Sequence, residues 1–240
     1  KLKKYNTFVI EDAAHALGAR YECGSMVGSC KYSDLTVFSF HPVKNIATGE
    51  GGVITTNNLE FYKKLLRLRS HGITKLNDKF INHKLAESDG ITNPWYYEMQ
   101  EIGYHYRITD IQAALGNSQI KKINLFLNHR KKLVDRYFEK LATCKPYITP
   151  MQINNDLSAN HLFVVSINFN EISISRAELM MGLQDKGIFT QVHYMPVNLQ
   201  PFYQDLGYSI NDTPVAASYY EKALSLPLYY PLSDEDQDYV

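Results

Sequence analysis

Apolar and polar positions change period along this chain, and each change predicts an element. Thr7-Phe8-Val9-Ile10 is a short β-branched and aromatic run that ends at once in Glu11-Asp12, the pattern of a buried parallel strand with acidic groups at its C-terminal end. Leu35 to Phe40 and Gly52 to Thr56 predict two more strands, joined by the loop from His41 to Gly51. Leu59, Tyr62, Leu65 and Leu66 fall near helical spacing, predicting a helix over 59–70 that His71-Gly72 stops. From Ile73 to Tyr106 no steady period holds, and the span contains Pro94 and the run Trp95-Tyr96-Tyr97. A stretch of that length without a period is usually functional or mobile.

Thr109-Asp110-Ile111-Gln112 fits a capping box opening a helix whose apolar residues are Ile111, Ala114, Leu115, Ile120 and Ile123, and a second helical run covers 127–141. Past Pro146 and Pro150 the pattern predicts a strand over 162–168, a helix over 175–186 with a Ser175/Glu178 capping box and Gly187 as its stop, then a strand over 189–193. That succession reads as a βαβ-like unit. The change of character places a domain boundary near residue 125, giving domains over 1–125 and 126–240, and no internal repeat is visible.

With 25 Lys+Arg against 25 Asp+Glu, the 240-residue chain has no net charge to recruit nucleic acid or an anionic membrane surface. A composition 45% hydrophobic and 21% charged is that of a globular protein, which excludes disordered and fibrous classes. Apolar runs such as Leu162-Phe163-Val164-Val165 are far shorter than the roughly 20 residues of a membrane span, so the chain reads as soluble. Cys23, Cys30 and Cys144 are odd in number and include no CxxC pair, which fits reduced thiols in a cytoplasmic protein better than a disulfide framework or a zinc site. Lys1-Leu2-Lys3-Lys4 offers no initiator Met and no signal-peptide core, so the chain reads as starting inside a domain.

Lys44 lies in a loop punctuated by His, Pro and Gly between two apolar strands. A lysine shielded there loses basicity, as an amine must to form a Schiff base with a carbonyl cofactor; a lone loop lysine can equally be structural. Asp12, at the end of a strand, needs a cationic or hydrogen-bonding partner. The protonated pyridine nitrogen of pyridoxal phosphate is one, and capping a short helix over 13–18 is the other. Ser39, five residues before Lys44, can donate to a phosphate or be an ordinary strand-end serine. Thr48-Gly49-Glu50-Gly51-Gly52 is not a P-loop, because no Gly-Lys-Ser/Thr follows and a strand comes next.

These residues fall in ordered blocks: Val9 to Ala19, Ser39-Phe40-His41-Pro42-Val43-Lys44-Asn45, Thr48 to Gly52, and Gly103 to Gly116. Together they resemble the DegT/DnrJ/StrS family of sugar-nucleotide aminotransferases. The resemblance continues through Gln191 to Pro196 and Leu226-Pro227-Leu228, covering nearly the whole chain. It implies an α/β architecture of fold-type I, with the remainder of a large cofactor-binding domain followed by a smaller α/β domain. Pro94 to Gln100 and the closing 224–236 are most similar to the pseudaminic-acid branch, which implies transfer of an amino group from L-glutamate to carbon 4 of a UDP-linked 4-keto-6-deoxy sugar.

Carried onto this sequence, the resemblance implies that Lys44 is the Schiff-base lysine of pyridoxal phosphate and Asp12 the pyridinium partner. It places His15 near the phenolic oxygen and makes Ser39 a phosphate ligand. His105 stands where many relatives have an Asn that reaches the phosphate from a neighbouring subunit, which implies a homodimer. His193 and Tyr97 are the candidate sugar contacts, with strand-end packing and core filling as their plain alternatives; His15 and His105 could likewise be structural histidines. The family carries a segment ahead of the Val9 block, so the chain is expected to lack the family's N-terminal part. The alternatives to an enzyme are a non-catalytic relative that binds a sugar nucleotide or a protein partner, and an inactive fragment.

Overall fold

The short apolar run at the start of the chain leads into β1 (Ile10–Asp12), which pairs in parallel with β2 (Leu35–Ser39); β2 pairs antiparallel with β3 (Gly52–Thr55). The computed structural model describes residues 5, 7–75, 79–152 and 156–240. Lys1-Leu2-Lys3-Lys4 lies outside them. The chain divides into two compact units, Lys1–Lys121 and Lys122–Val240.

In the first unit, the alternation of β2 buries Thr36 and Phe38 on one face. β1 is not the buried strand expected from its composition, since Phe8 and Ile10 are both exposed. The sheet order β1-β2-β3 leaves β1 paired on one side only among the described residues, and the Phe8 ring, though exposed, meets Phe61 edge-on at 5.4 Å. After Asp12 the chain makes successive turns (Ala16 N–H to the Ala13 carbonyl, Ala19 N–H to that of Ala16) rather than the short helix that capping by Asp12 would require.

Helix α1 (Leu59–Leu68) is capped by Asn58, whose side chain accepts from the amides of Glu60 and Phe61. The span without a period resolves into very short pieces: β4 (Ile73–Thr74), helix α2 (His83–Ala86), the ladder of β5 (Glu87–Ser88) with β6 (Ile91–Thr92), and β7 (Glu98–Met99), paired with β4. Two-residue ladders are too brief to show a period of two. Glu98 anchors this region by accepting from the Tyr96 hydroxyl, the Gln100 amide and the backbone of Ile81 and Asn82. Those donors, Gln100 foremost, hold its carboxyl down at about 2. Helix α3 (Asp110–Ile120) opens with the expected Thr109/Gln112 capping box.

The second unit begins with α4 (Ile123–Lys140), whose buried stripe of Phe126, Arg130, Leu133, Val134 and Tyr137 repeats at helical spacing. A sheet of β8 (Ile148–Pro150), β9 (Phe163–Ile167) and β10 (Ala223–Leu226) lies against it in the order β10-β9-β8, antiparallel throughout. Val134, Tyr137, Phe163, Val165, Ile167 and Leu224 form the core, with the Tyr137 and Phe163 rings stacked at 4.7 Å. The expected βαβ-like unit is therefore corrected. Helix α5 (Arg176–Asp185) does follow β9, but 189–193 makes only a single antiparallel bridge, Gln191 to Ser225. The place beside β9 is taken by β10, whose Ala223, Leu224 and Ser225 are all buried, while Phe189 stays exposed.

Helices α6 (Pro201–Asp205), α7 (Pro214–Lys222) and α8 (Asp234–Tyr239) complete the unit. Buried Arg130 donates to the carbonyls of Asn160, His161 and Leu228, and desolvation lowers its guanidinium to about 10. Among the described residues, no helix is long and apolar enough to cross a membrane.

Candidate active site

Asp12 ends β1 and Ser39 ends β2, and the parallel register sets Asp12 beside Val37, so both residues sit at the carboxyl edge of adjacent strands. That edge is where α/β sheets place ligands. The Ala13 amide continues the ladder to the Val37 carbonyl at 2.8 Å, and Asp12 Oδ1 accepts from the Ala14 amide at 3.0 Å. The capping alternative for Asp12 is thus realised as a turn rather than a helix, and it fixes the carboxylate at the strand end. His15 follows in the same series of turns, half-buried.

The chain leaves β2 through Ser39, whose Oγ accepts from the His41 amide at 3.4 Å. The loop closes on itself through the Lys44 amide to the His41 carbonyl (2.9 Å), the Thr48 amide to Phe40 (2.9 Å) and the Phe40 amide to Gly51 (2.8 Å). Lys44 is half-buried there. Desolvation lowers its pKa, and the charge of Asp12 offsets part of that shift. The carboxylate at the end of β1 and the amine in the loop after β2 therefore act on each other electrostatically.

Three residues hold this loop that residue-by-residue reading of the sequence did not single out. The buried Asn45 side chain reaches the Leu17 carbonyl at 3.4 Å, tying the lysine loop to the turns after Asp12. Buried Thr48 donates to the Glu50 carbonyl at 2.7 Å. Gln112 does two things at once: Oε1 accepts from Thr109 in the capping box, and Nε2 donates to the Glu50 carbonyl at 3.0 Å. A Glu would cap the helix equally well but has no amide proton for the second contact, so Gln at that position was the available signal.

Glycine is needed at position 52 and gives a tight fit at position 116. A Cβ on Gly52 would lie 2.6 Å from the Phe38 carbonyl oxygen, and one on Gly116 would lie 3.0 Å from Thr48 Cγ2. Two motif blocks about 60 residues apart in sequence are thereby packed together, as the 62-residue separation of the Gln112 and Glu50 contact records.

The remaining candidates lie elsewhere. His105 is exposed and bridges to Ser70; its ring is 5.3 Å from that of His71, and its Nε2 is 3.0 Å from the Arg107 guanidinium. Because Arg can only donate, Nε2 is the acceptor in that contact. Tyr97 is 59% exposed, which corrects the core-filling alternative. His193 belongs to the second unit, where Nδ1 lies 2.7 Å from Ser225 Oγ and the backbone carbonyl accepts from the Tyr219 hydroxyl. It is half-buried and sits in a loop two residues past the Gln191 bridge, so the strand end expected there is not formed while its packing against β10 is. The structure brings Asp12, Ser39 and Lys44 to one sheet edge, with His15 in the adjoining turns.

A model of the DegT/DnrJ/EryC1/StrS aminotransferase family matches residues 2–240. The spore coat polysaccharide biosynthesis protein SpsC of Bacillus subtilis is 38% identical over 238 residues, a match covering 98% of this chain and 58% of SpsC. The UDP-4-amino-4,6-dideoxy-N-acetyl-beta-L-altrosamine transaminase of Campylobacter jejuni is 38% identical over 242 residues, covering 99% of this chain and 58% of the relative. Among solved structures, Spr1654 of Streptococcus pneumoniae in its PMP form aligns with a TM-score of 0.82 at 33% identity, over 99% of this chain and 58% of that one; its PLP form gives a TM-score of 0.81. The chain thus spans 58% of the length of these relatives. Because the match runs unbroken through every motif block and both units, the chain belongs to the DegT/DnrJ/EryC1/StrS aminotransferase family, a pyridoxal-phosphate-dependent group with the fold-type I architecture.

Proposed function

We propose that the protein is an enzyme that transfers an amino group from L-glutamate to carbon 4 of a UDP-linked 4-keto-6-deoxy sugar, the chemistry of pseudaminic acid biosynthesis. The observation that carries the reaction class is the half-buried Lys44 amine, its pKa lowered by desolvation, within the electrostatic reach of Asp12 at the carboxyl edge of the sheet. The choice of sugar rests on the name of the 38% identical Campylobacter jejuni relative, a UDP-4-amino-4,6-dideoxy-N-acetyl-beta-L-altrosamine transaminase.

The residues present fit pyridoxal phosphate. A lysine of lowered basicity is suited to bond an aldehyde, and a carboxylate at a strand end is suited to a protonated ring nitrogen. Ser39 Oγ accepts from the His41 amide, which leaves its own proton to donate to a phosphate oxygen. His15 is the candidate neighbour of the phenolic oxygen. When bound, the cofactor supplies an aldehyde and an electron-accepting ring.

Lys44 Nζ takes the proton from the α-carbon of glutamate, a role that requires the neutral amine. Burial favours that neutral form and the charge of Asp12 opposes it, with burial the larger effect. Asp12, anchored by the Ala14 amide, would hold a carboxylate at the strand end as the partner for a protonated ring nitrogen. The exposed Tyr97 and, in the second unit, His193 are the proposed sugar contacts.

We also propose a homodimer in which His105 reaches the cofactor phosphate of the second subunit. Trp95, Tyr104 and Tyr106 are exposed in the same region, the residue type enriched at interface cores.

In intact protein, Lys44→Ala is expected to lose the visible absorption that added pyridoxal phosphate produces in wild type and to slow transamination by at least roughly 10²–10⁴-fold; wild-type turnover by the variant would refute the assignment. Asp12→Asn removes a charge that raises the Lys44 pKa, so the pH midpoint for reductive methylation of Lys44, followed by mass spectrometry, should move to lower pH. An unchanged or higher midpoint would show that Asp12 does not act on this amine. Light scattering of active protein should give a dimer, and a fully active monomer at low concentration would exclude a contribution of His105 from a second subunit.

A further inference from the structure

Outside the Lys44 loop, the segment between β1 and β2 carries a second cluster of reactive side chains. The exposed Cys23 sulfur is met by three groups able to donate to it: Ser25 Oγ at 2.9 Å, Lys31 Nζ at 3.1 Å and Tyr32 Oη at 3.3 Å. Packing elsewhere in the segment keeps them together. The Tyr21 amide donates to the Ser25 carbonyl (2.9 Å) and the Gly24 amide to the Tyr21 carbonyl (2.8 Å), a tight turn with Cys23 within it and Gly24 at φ +81°. The Tyr32 ring stands edge-on to that of Tyr21 at 4.9 Å, and the Tyr21 hydroxyl donates to Glu11 on β1. Tyr32 is thus positioned by a contact anchored on the sheet, independently of its bond to the sulfur, and Lys31 is its chain neighbour.

We propose that the Cys23–Lys31–Tyr32 cluster is a modification site at which hydrogen peroxide oxidises Cys23 to a sulfenic acid, with Lys31 as the proton donor. A sulfur lone pair forms the S–O bond as the O–O bond breaks; sulfur is oxidised and the peroxide reduced. The departing hydroxide takes a proton from the Lys31 ammonium and leaves as water. The bonds from Ser25 and Tyr32, with that from Lys31 behind them, bring the thiol down to about 6, and the same contact raises the lysine. The cluster therefore holds thiolate beside ammonium at neutral pH. Lowered basicity alone gains little: thiolate near pH 7 rises about 30-fold over an ordinary cysteine, while nucleophilicity falls roughly ten- to twentyfold. The larger contribution comes from the proton on Lys31 Nζ, within reach of the leaving oxygen. Cys30 offers the contrast, being half-buried and donating to the Thr55 carbonyl at 3.3 Å. Exposure together with thiolate character is what directs peroxide to one cysteine over another.

Intact protein treated with limiting hydrogen peroxide in the presence of dimedone, which traps sulfenic acids, should carry the label on Cys23 ahead of Cys30 and Cys144 in peptide mass spectrometry. The quantity to compare between proteins is the Cys23 rate relative to the other two cysteines, which corrects for any general loosening of a variant. Lys31→Gln should lower that ratio at least about fivefold at neutral pH by removing the proton donor. Tyr32→Phe keeps the ring against Tyr21 and removes only the hydroxyl, so the pH midpoint for alkylation of Cys23 by iodoacetamide should rise from its wild-type value of about 6. Label appearing first on Cys30 or Cys144, a wild-type midpoint at that of an ordinary cysteine, or a ratio unchanged by Lys31→Gln would overturn the proposal.

Discussion

The amine of Lys44 is subject to two opposed effects, and the arrangement around it serves to hold them in balance. Partial removal from water favours the neutral amine, whereas the carboxylate of Asp12 favours the ammonium. Neither effect operates unless the two side chains stay in place. Asp12 is held by the end of β1 and the Ala14 amide; Lys44 is held by a loop whose ends are bonded to each other at Phe40, Thr48 and Gly51. The close approach of Gly116 to Thr48 and the Gln112 amide on the Glu50 carbonyl then bring α3 down on that loop. The role proposed for Lys44 requires an amine on a segment that does not move freely, and this clamp supplies one.

Much of this was legible from residue pattern. β2, β3, α1, α3 and α5 lie close to where period and capping residues put them, because each is long enough for its period or its cap to be expressed locally. Asp12, Ser39 and Lys44 were visible because polar residues at strand ends and in a Gly-bounded loop stand out against apolar flanks. The misread elements have a common cause. β10 is written Ala-Leu-Ser-Leu directly after a helix, and it becomes a strand only by docking beside β9, about 60 residues earlier in the chain. Phe189 to His193 has a strand-like alternation, yet the partner that would complete it is already paired. Tertiary pairing decided both, and pairing is not encoded in a local window.

The candidate site shows the same division. Chemical identity was readable one residue at a time; the second contact of Gln112, the burial of Thr48 and the reach of Asn45 to Leu17 depend on how distant blocks meet. The Cys23 cluster is a further case, since Ser25, Lys31 and Tyr32 are unremarkable in sequence and become a feature only when the folded segment brings them to one sulfur.

The central claim is that Lys44, and no other lysine, bonds the cofactor. Borohydride reduction of intact protein loaded with pyridoxal phosphate, followed by proteolysis and mass spectrometry, tests it most directly. The account predicts one stoichiometric phosphopyridoxyl mass on the peptide containing Lys44; stoichiometric label on a different lysine, with Lys44 unmodified, would contradict it.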